Sequence, residues 1–181
     1  MTMIAVHIGT AALAAFFILF SGQSLSVAGT FPNQWRNVSF DTPTAFSKPV
    51  DAGLDAVAFM APPDSKPGNA GMTITLVAVP KDMKESLGNS DTEVLNYVKT
   101  TFLGASNPGK PVERSFLGRK VVGELLVSSI PKKVEHEVFL VPLANGDAMA
   151  LALSRDMAVP ADEAEASRDM IAGTFKETGG K

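Results

Sequence analysis

Apolar and polar residues alternate most sharply in the last quarter of the chain. In Lys133-Val-Glu-His-Glu-Val-Phe-Leu-Val141, Lys133, Glu135 and Glu137 fall on one side, and Val134, Val138 and Leu140 on the other. A period of two describes a strand with one face in the core. Asn145-Gly146 follows, a dipeptide suited to positive φ at both centres of a type I′ hairpin turn. Asp147 to Arg155 returns with Met149, Leu151 and Leu153 on one face. The period then changes to that of a helix opened by Pro160, whose missing N–H is harmless at the first helical position. Asp162 and Glu163 meet the positive end of the helix dipole, and Ala164, Ser167, Ile171 and Phe175 form a stripe before Lys176 and Gly179 end it. A two-stranded hairpin is marginal alone in water, so this one must extend a sheet and lie under that helix.

Upstream, a polar lead from Thr30 to Arg36 holds the only tryptophan, Trp35, and Asn37 to Thr42 reads as a strand stopped by Pro43. Lys48 to Gly53 reads as a turn region. Leu54 to Ala61 is apolar on both sides, Val57 and Phe59 against Ala56, Ala58 and Met60, and is expected to be buried on both. Met72 to Val79 is rich in β-branched residues and ends at Pro80. Lys81 to Leu87 suits a short helical turn. Ser90-Asp-Thr-Glu93 is a capping box, with Val94, Leu95, Val98 and Phe102 at helical spacing and Gly104 as the stop. Val112–Leu117 and Arg119–Ile130 form a strand pair around Gly118. Two proline- and glycine-bearing loops, Pro62–Gly71 and Ala105–Pro111, flank the third strand and its helix. The predicted fold class is α+β: an antiparallel β-sheet flanked by helices, in one domain over residues 29–181.

The opening segment with Trp35 and Val38-Ser-Phe40, the strand Met72–Val79 before a helix, the strand pair around Gly118, and the closing hairpin feeding a helix that ends Ile171-Ala-Gly-Thr-Phe175 together resemble the PsbP-like group of exported α/β proteins. That group commonly ends its last helix in Ile-x-x-Ser-Phe; Thr174 stands here for the serine. The resemblance spans Trp35 to Lys176 and implies an α/β/α sandwich. It includes an accessory protein of the oxygen-evolving photosystem, linked to calcium, chloride or manganese retention. No cluster in this sequence supports carrying a metal site over.

Composition narrows the function classes. The chain has 181 residues, 45% hydrophobic and 19% charged, which suits one globular domain. A net charge of −3 and a pI near 5.4 offer no basic footprint for nucleic acid or anionic lipid. Residues 1–28 contain no Lys, Arg, Asp or Glu. The apolar run Ile8–Phe20 is followed by Ser26-Val27-Ala28, the layout of a secretory signal peptide with cleavage after Ala28. The alternative is an uncleaved N-terminal membrane anchor, for which 13 apolar residues are short. There is no cysteine, so no disulfide, thiolate ligand, thiol nucleophile or lipobox. Asn37-Val38-Ser39 matches a glycosylation sequon inside a strand.

Candidate chemistry is sparse. His136 is the only histidine after residue 28, and is read as a partly buried histidine hydrogen-bonded within the sheet rather than a base or ligand. Glu135 and Glu137, with Lys133, read as the solvated face of a strand near the sheet edge rather than as an acid–base or cation pair. Asp162, Glu163 and Glu165 have a structural reason in the first turn of a helix. Asp64–Asn69 lacks calcium-loop spacing. Gly104–Lys110 superficially matches a phosphate loop, but Pro108 removes a donor and the segment leads from helix to strand. Ser128-Ser129 has no base beside it in sequence. The methionines Met60, Met72, Met83, Met149, Met157 and Met170 read as core filling, or as the lining of an apolar cleft. The two long loops could frame a binding surface.

No catalytic, cofactor-binding or metal residue is therefore assigned, and no cofactor. The reading is an exported, periplasmic or secreted non-enzymatic accessory or binding protein of the cell envelope, with an envelope protein partner. The alternative is a carrier or sensor of a small apolar ligand in a Met-lined cleft, and a hydrolase without a recognisable motif stands third. No nucleic acid and, if the signal is cleaved, no stable membrane insertion are expected.

Overall fold

The computed structural model describes residues 29–66, 68–129 and 132–179. The expected signal segment, residues 1–28, lies outside the described residues. None of the described helices is long and apolar enough to cross a membrane.

Strands β1 (Phe31–Trp35), β2 (Val38–Thr42), β3 (Val50–Gly53), β4 (Ala56–Ala61) and β5 (Met72–Val79) come first. Helices α1 (Lys81–Ser86) and α2 (Asp91–Phe102) follow, then strands β6 (Lys110–Phe116), β7 (Arg119–Ser128), β8 (Val134–Pro142) and β9 (Ala148–Asp156). Helix α3 (Ala161–Thr174) and a short β10 (Lys176–Glu177) close the chain. A seven-stranded antiparallel sheet runs β3-β4-β5-β9-β8-β7-β6, and β1, β2 and β10 form a second, three-stranded sheet. The terminal hairpin does extend a sheet. Its strand β9 pairs with β5 from Met72↔Arg155 to Val79↔Ala148, which joins the two halves of the chain at the centre.

The two main helices take opposite faces. On one, Val94, Leu95 and Val98 of α2 pack on Val77, Val79, Val138, Leu140 and the alanines of β9. On the other, Ala164, Ile171 and Ala172 of α3, together with β2, cover Ile74, Leu76, Phe139, Met149 and Leu151. A chain of aromatic contacts runs through this second core: Phe40–Phe59 at 5.5 Å, Phe116–Phe175 at 5.7 Å and Phe116–Phe139 at 5.0 Å between ring centroids. Each such fully buried ring contributes on the order of 2 kcal/mol of transfer free energy. Strand β4, apolar on both sides in sequence, is buried on both sides, and β5 and β9 are buried on both sides as well. Ser90 caps α2, its hydroxyl accepting from the Glu93 N–H at 3.4 Å. Met60, Met72 and Met149 fill the core.

Five expectations change. The polar lead is a strand, β1, and the turn region before residue 54 contains strand β3; both are exposed edges whose pairing supplies what their sequence lacks. Pro160 precedes α3 as its N-cap rather than standing inside it.

Asn145-Gly146 does not form a type I′ turn. Of the two only Gly146 has positive φ, at 90°. Leu143 N–H donates to Asp147 C=O at 2.9 Å and Gly146 N–H to Leu143 C=O at 3.2 Å, which makes a three-residue loop with a bulge. Register is the reason. Phe139 stands opposite Leu151 and Val138 opposite Ala152. A two-residue loop would slip this by one and set Phe139 opposite Ala152, on the wrong face of the sheet. The φ > 0 pair occurs instead at Leu117 (53°) and Gly118 (71°), between the paired Phe116 and Arg119.

The charged strip is the largest correction. Glu137 is 3% exposed and lies beneath α3, not in solvent. Arg114 of β6 reaches across β7 to grip Glu137 through two nitrogens, and also pairs with Glu165 (2.8 Å) and Asp169 (2.6 Å) of α3. Glu135 accepts from Arg155 at 3.1 Å and Arg168 at 3.0 Å. Helix α3 is thus fastened to the sheet by ions through Glu165, Arg168 and Asp169, and by apolar packing through Ala164, Ile171 and Ala172. Lys133 alone of the strip is exposed.

Candidate functional site: a hydroxyl-floored cleft

Helix α2 is shorter than the face it covers. Beyond Phe102 the sheet continues uncovered, and the residues that point up from it change from aliphatic to small polar: Thr73 and Thr75 on β5, Ser154 on β9, His136 on β8 and Ser128 on β7. They are set side by side by register, Thr73↔Ser154, His136↔Ser154 and Leu126↔His136. Phe102 and Leu103 at the end of α2 form one wall, and Gly68, Ala70 and Gly71 of the first long loop form the other. The result is a half-enclosed cleft of about 290 Å³.

His136 lies at the centre of its floor, 5% exposed. Its Nε2 is 2.9 Å from Ser128 Oγ and its Nδ1 is 2.8 Å from Ser154 Oγ. The histidine is therefore hydrogen-bonded within the sheet, as its sequence position suggested. Burial pushes the imidazole down to about 4, the Arg168 charge adds to this, and Glu135 opposes it. The ring is neutral at pH 7, so one nitrogen donates and the other accepts. One serine must give its proton to the ring and the other must receive one from it.

Ser128 has no base beside it along the chain, yet the β7–β8 hairpin brings His136 to it. The signal was the shared face: Ser128 pairs with Val134, two residues from His136 on the same side of β8. That nearness is diagonal across a hairpin and invisible along the chain. Neither ring nitrogen meets a carboxylate, the group that orients and charges the imidazole in a nucleophilic triad.

The cleft rim carries one ion pair, Lys132 Nζ to Asp156 Oδ2 at 2.6 Å, and Lys132 also donates to Ala70 C=O at 3.3 Å. The hydrogen bond from Lys132 holds the Asp156 carboxyl below its usual range. Of the two loops expected to frame a surface, Pro62–Gly71 does so. The second is drawn down instead: Gly109 N–H donates to Glu124 Oε2 at 2.9 Å, and the same oxygen meets Lys99 Nζ at 2.6 Å. Lys99 is 1% exposed. Burial raises the Glu124 carboxyl, but the Lys99 and Gly109 donors outweigh it and hold it low. The phosphate-loop-like segment is thus part of a latch between α2 and β7.

The residues that line this cleft include no methionine, so the expected Met lining is not found there. A separate apolar groove lies where β4 ends and β5 begins, formed by Ala45, Ala61, Pro62, Pro63, Met72 and Val159. Among the described residues no group of three or more His, Asp or Glu is placed to hold a metal ion.

Fold and site together define an antiparallel α+β sandwich with an open, neutral, hydroxyl-floored cleft on one face. No family model matches the sequence, and no curated protein matches it. Solved structures match in shape. One from Bacteroides thetaiotaomicron aligns at a TM-score of 0.45 and 12% identity over 78% of this chain, which spans 45% of that chain's length. The Ran-binding protein Mog1p of Saccharomyces cerevisiae aligns at a TM-score of 0.49 and 11% identity, over 83% of this chain and 96% of that one. A point mutant of Mog1 gives the same TM-score at 9% identity. Likeness at this level is one of general architecture, and no site is transferred from it.

Proposed function

We propose that this chain is an exported binding protein that holds a small molecule in the cleft without converting it. The observation that carries the reading is the cleft floor: neutral, buried or half-buried groups, with His136 tied between two serines and depressed by burial. A base held this far below neutrality is a weak proton acceptor at pH 7. The cleft volume sits at the lower end of small-molecule sites. The polar floor favours a hydrogen-bonding ligand over the apolar one that the methionines suggested.

Docking on an envelope protein is the second reading, and Leu54 favours it. This leucine is 66% exposed at the β3–β4 tip, with Trp35, Arg36 and Pro49 beside one flank and Met83 and Tyr97 beside the other. Kinship with the PsbP-like group belongs to the proposal too; it is supported by the closing hairpin and by the burial of Ile171 and Phe175 at the end of α3.

Native mass spectrometry of the chain recovered from the envelope of its host tests the reading. The expected result is a polypeptide beginning near Gly29 that carries an adduct of roughly a few hundred daltons, lost on denaturation. A bare monomer would sink the ligand-holding reading, and a bare chain found with a second polypeptide would favour docking. A mass that retains residues 1–28 would sink the cleaved signal.

A further inference from the structure

Resting on the ligand-holding reading, the ligand's chemical class follows from what the cleft offers and what it withholds. The Thr73 and Thr75 hydroxyls enter no hydrogen bond with another described residue and line the open volume. Ser128 and Ser154 each spend one bond on His136 and keep capacity for another. Because the imidazole can place its proton on either nitrogen, the two serines can exchange roles. Moving the ring proton from Nδ1 to Nε2 turns Ser154 from acceptor to donor toward the ring, and Ser128 from donor to acceptor. No net charge is made or lost.

A row of groups that can each donate or accept is the complement of a row of hydroxyls, which can also do either. It is a poor match for an ion. The one cation on the rim among the described residues, Lys132, already meets Asp156 at 2.6 Å, so an anion would have to break that pair and a cation would face the same contest for the carboxylate. An aliphatic chain would leave the threonine hydroxyls dehydrated and unpaired, a desolvation cost for each group. The walls complete the match. Phe102 is half-buried beside the floor and gives an apolar face for the C–H side of a ring.

We propose that the cleft takes an uncharged, hydroxyl-rich ring, the chemical class of a monosaccharide unit, with its hydroxyls on Thr73, Thr75, Ser128 and Ser154 and its C–H face toward Phe102.

The test is a titration of the isotope-labelled chain, as its host produces it, with methyl β-glucoside, decanoate and inorganic phosphate in turn. The readouts are the Thr73 and Thr75 methyl signals and the His136 ring nitrogens. The glucoside is expected to shift both sets while the imidazole stays neutral. Thr75→Val, which keeps shape and removes the hydroxyl, is expected to weaken binding about tenfold, the loss of one buried hydrogen bond. Val122→Ser, on an exposed part of the same face, is expected to leave binding unchanged.

Shifts with decanoate or phosphate but not with the glucoside overturn the class and leave the ligand-holding cleft standing. Glucoside binding untouched by Thr75→Val places the sugar elsewhere and overturns the site. No glucoside shift overturns the class by itself; joined to a bare mass for the recovered protein, it takes the ligand-holding reading with it.

Discussion

Acidification should loosen this protein well above the range in which its carboxylates titrate, and His136 is the reason. Unfolded, the imidazole has an ordinary value of about 6.5. Folded, it sits near 4, because charging it in the buried floor of the cleft removes the proton-bearing ring from water and sets it against Arg168. The sign follows from proton counting. Between those values the unfolded chain binds the proton and the folded chain does not, so stability rises with pH across the window. It is fully present above pH 6.5 and is lost as pH falls toward 4.

From pH 7.5 to 5 the expected loss is about 2 kcal/mol, since each unit of difference in proton affinity is worth about 1.4 kcal/mol. With a urea slope of about 1–3 kcal/mol per molar, the midpoint should fall by roughly 0.7–2 M. The depressed carboxyls of Glu124, Glu135 and Asp156 act in the same direction but only at lower pH, below their ordinary carboxylate range. The assay is urea unfolding at half-unit steps from pH 7.5 to 5, on the parent chain and on His136→Gln, which can still bond to both serines. The parent should show the slope and the variant should lose it. A flat parent curve, or a variant that keeps the slope, would refute the assignment of the buried neutral imidazole.

Other perturbations follow from the same packing. Glu137→Gln removes the carboxylate between Arg114 and Arg168 and should destabilise by about 3 kcal/mol, the low end for a broken buried pair because Glu165, Asp169 and Glu135 remain; chemical denaturation showing under 1 kcal/mol would mean the network is not an interior one. Gly123→Ala would set a methyl 2.2 Å from the Val138 carbonyl oxygen and 2.5 Å from the Phe139 ring, so thermal unfolding should show a loss of about 1–3 kcal/mol as strand β8 yields. Leu54→Gly relieves a leucine held at φ 49° with little packing to lose, and should raise stability by about 0.5–1 kcal/mol, read as a higher urea midpoint.

Much of the architecture was legible in the chain because it rests on local periods. Two-residue alternation marked β8 and β9, the doubly apolar run marked β4 as interior, β-branched residues marked β5, and the capping box at Ser90 and the stripe at Ala164, Ser167, Ile171 and Phe175 marked the two main helices. Those signals need no knowledge of neighbours. The presence of His136 on a core face was legible in the same way.

What the tertiary structure alone decided was whatever depends on which strand lies beside which. Glu135 and Glu137 carry the sequence mark of a wet strand face, and only the placement of α3 above them, with three arginines, makes them interior. Strands β1 and β3 have little propensity of their own and exist because β2 and β4 offer open edges. The Asn145-Gly146 turn yielded to register, since a local preference worth about a kilocalorie gives way when a one-residue slip would turn a whole strand's apolar face to the wrong side. The cleft is the clearest case. Thr73, Thr75, Ser128, His136 and Ser154 come from four strands, and each alone is an ordinary sheet residue. Sheet order sets them side by side, and the length of α2 leaves them uncovered.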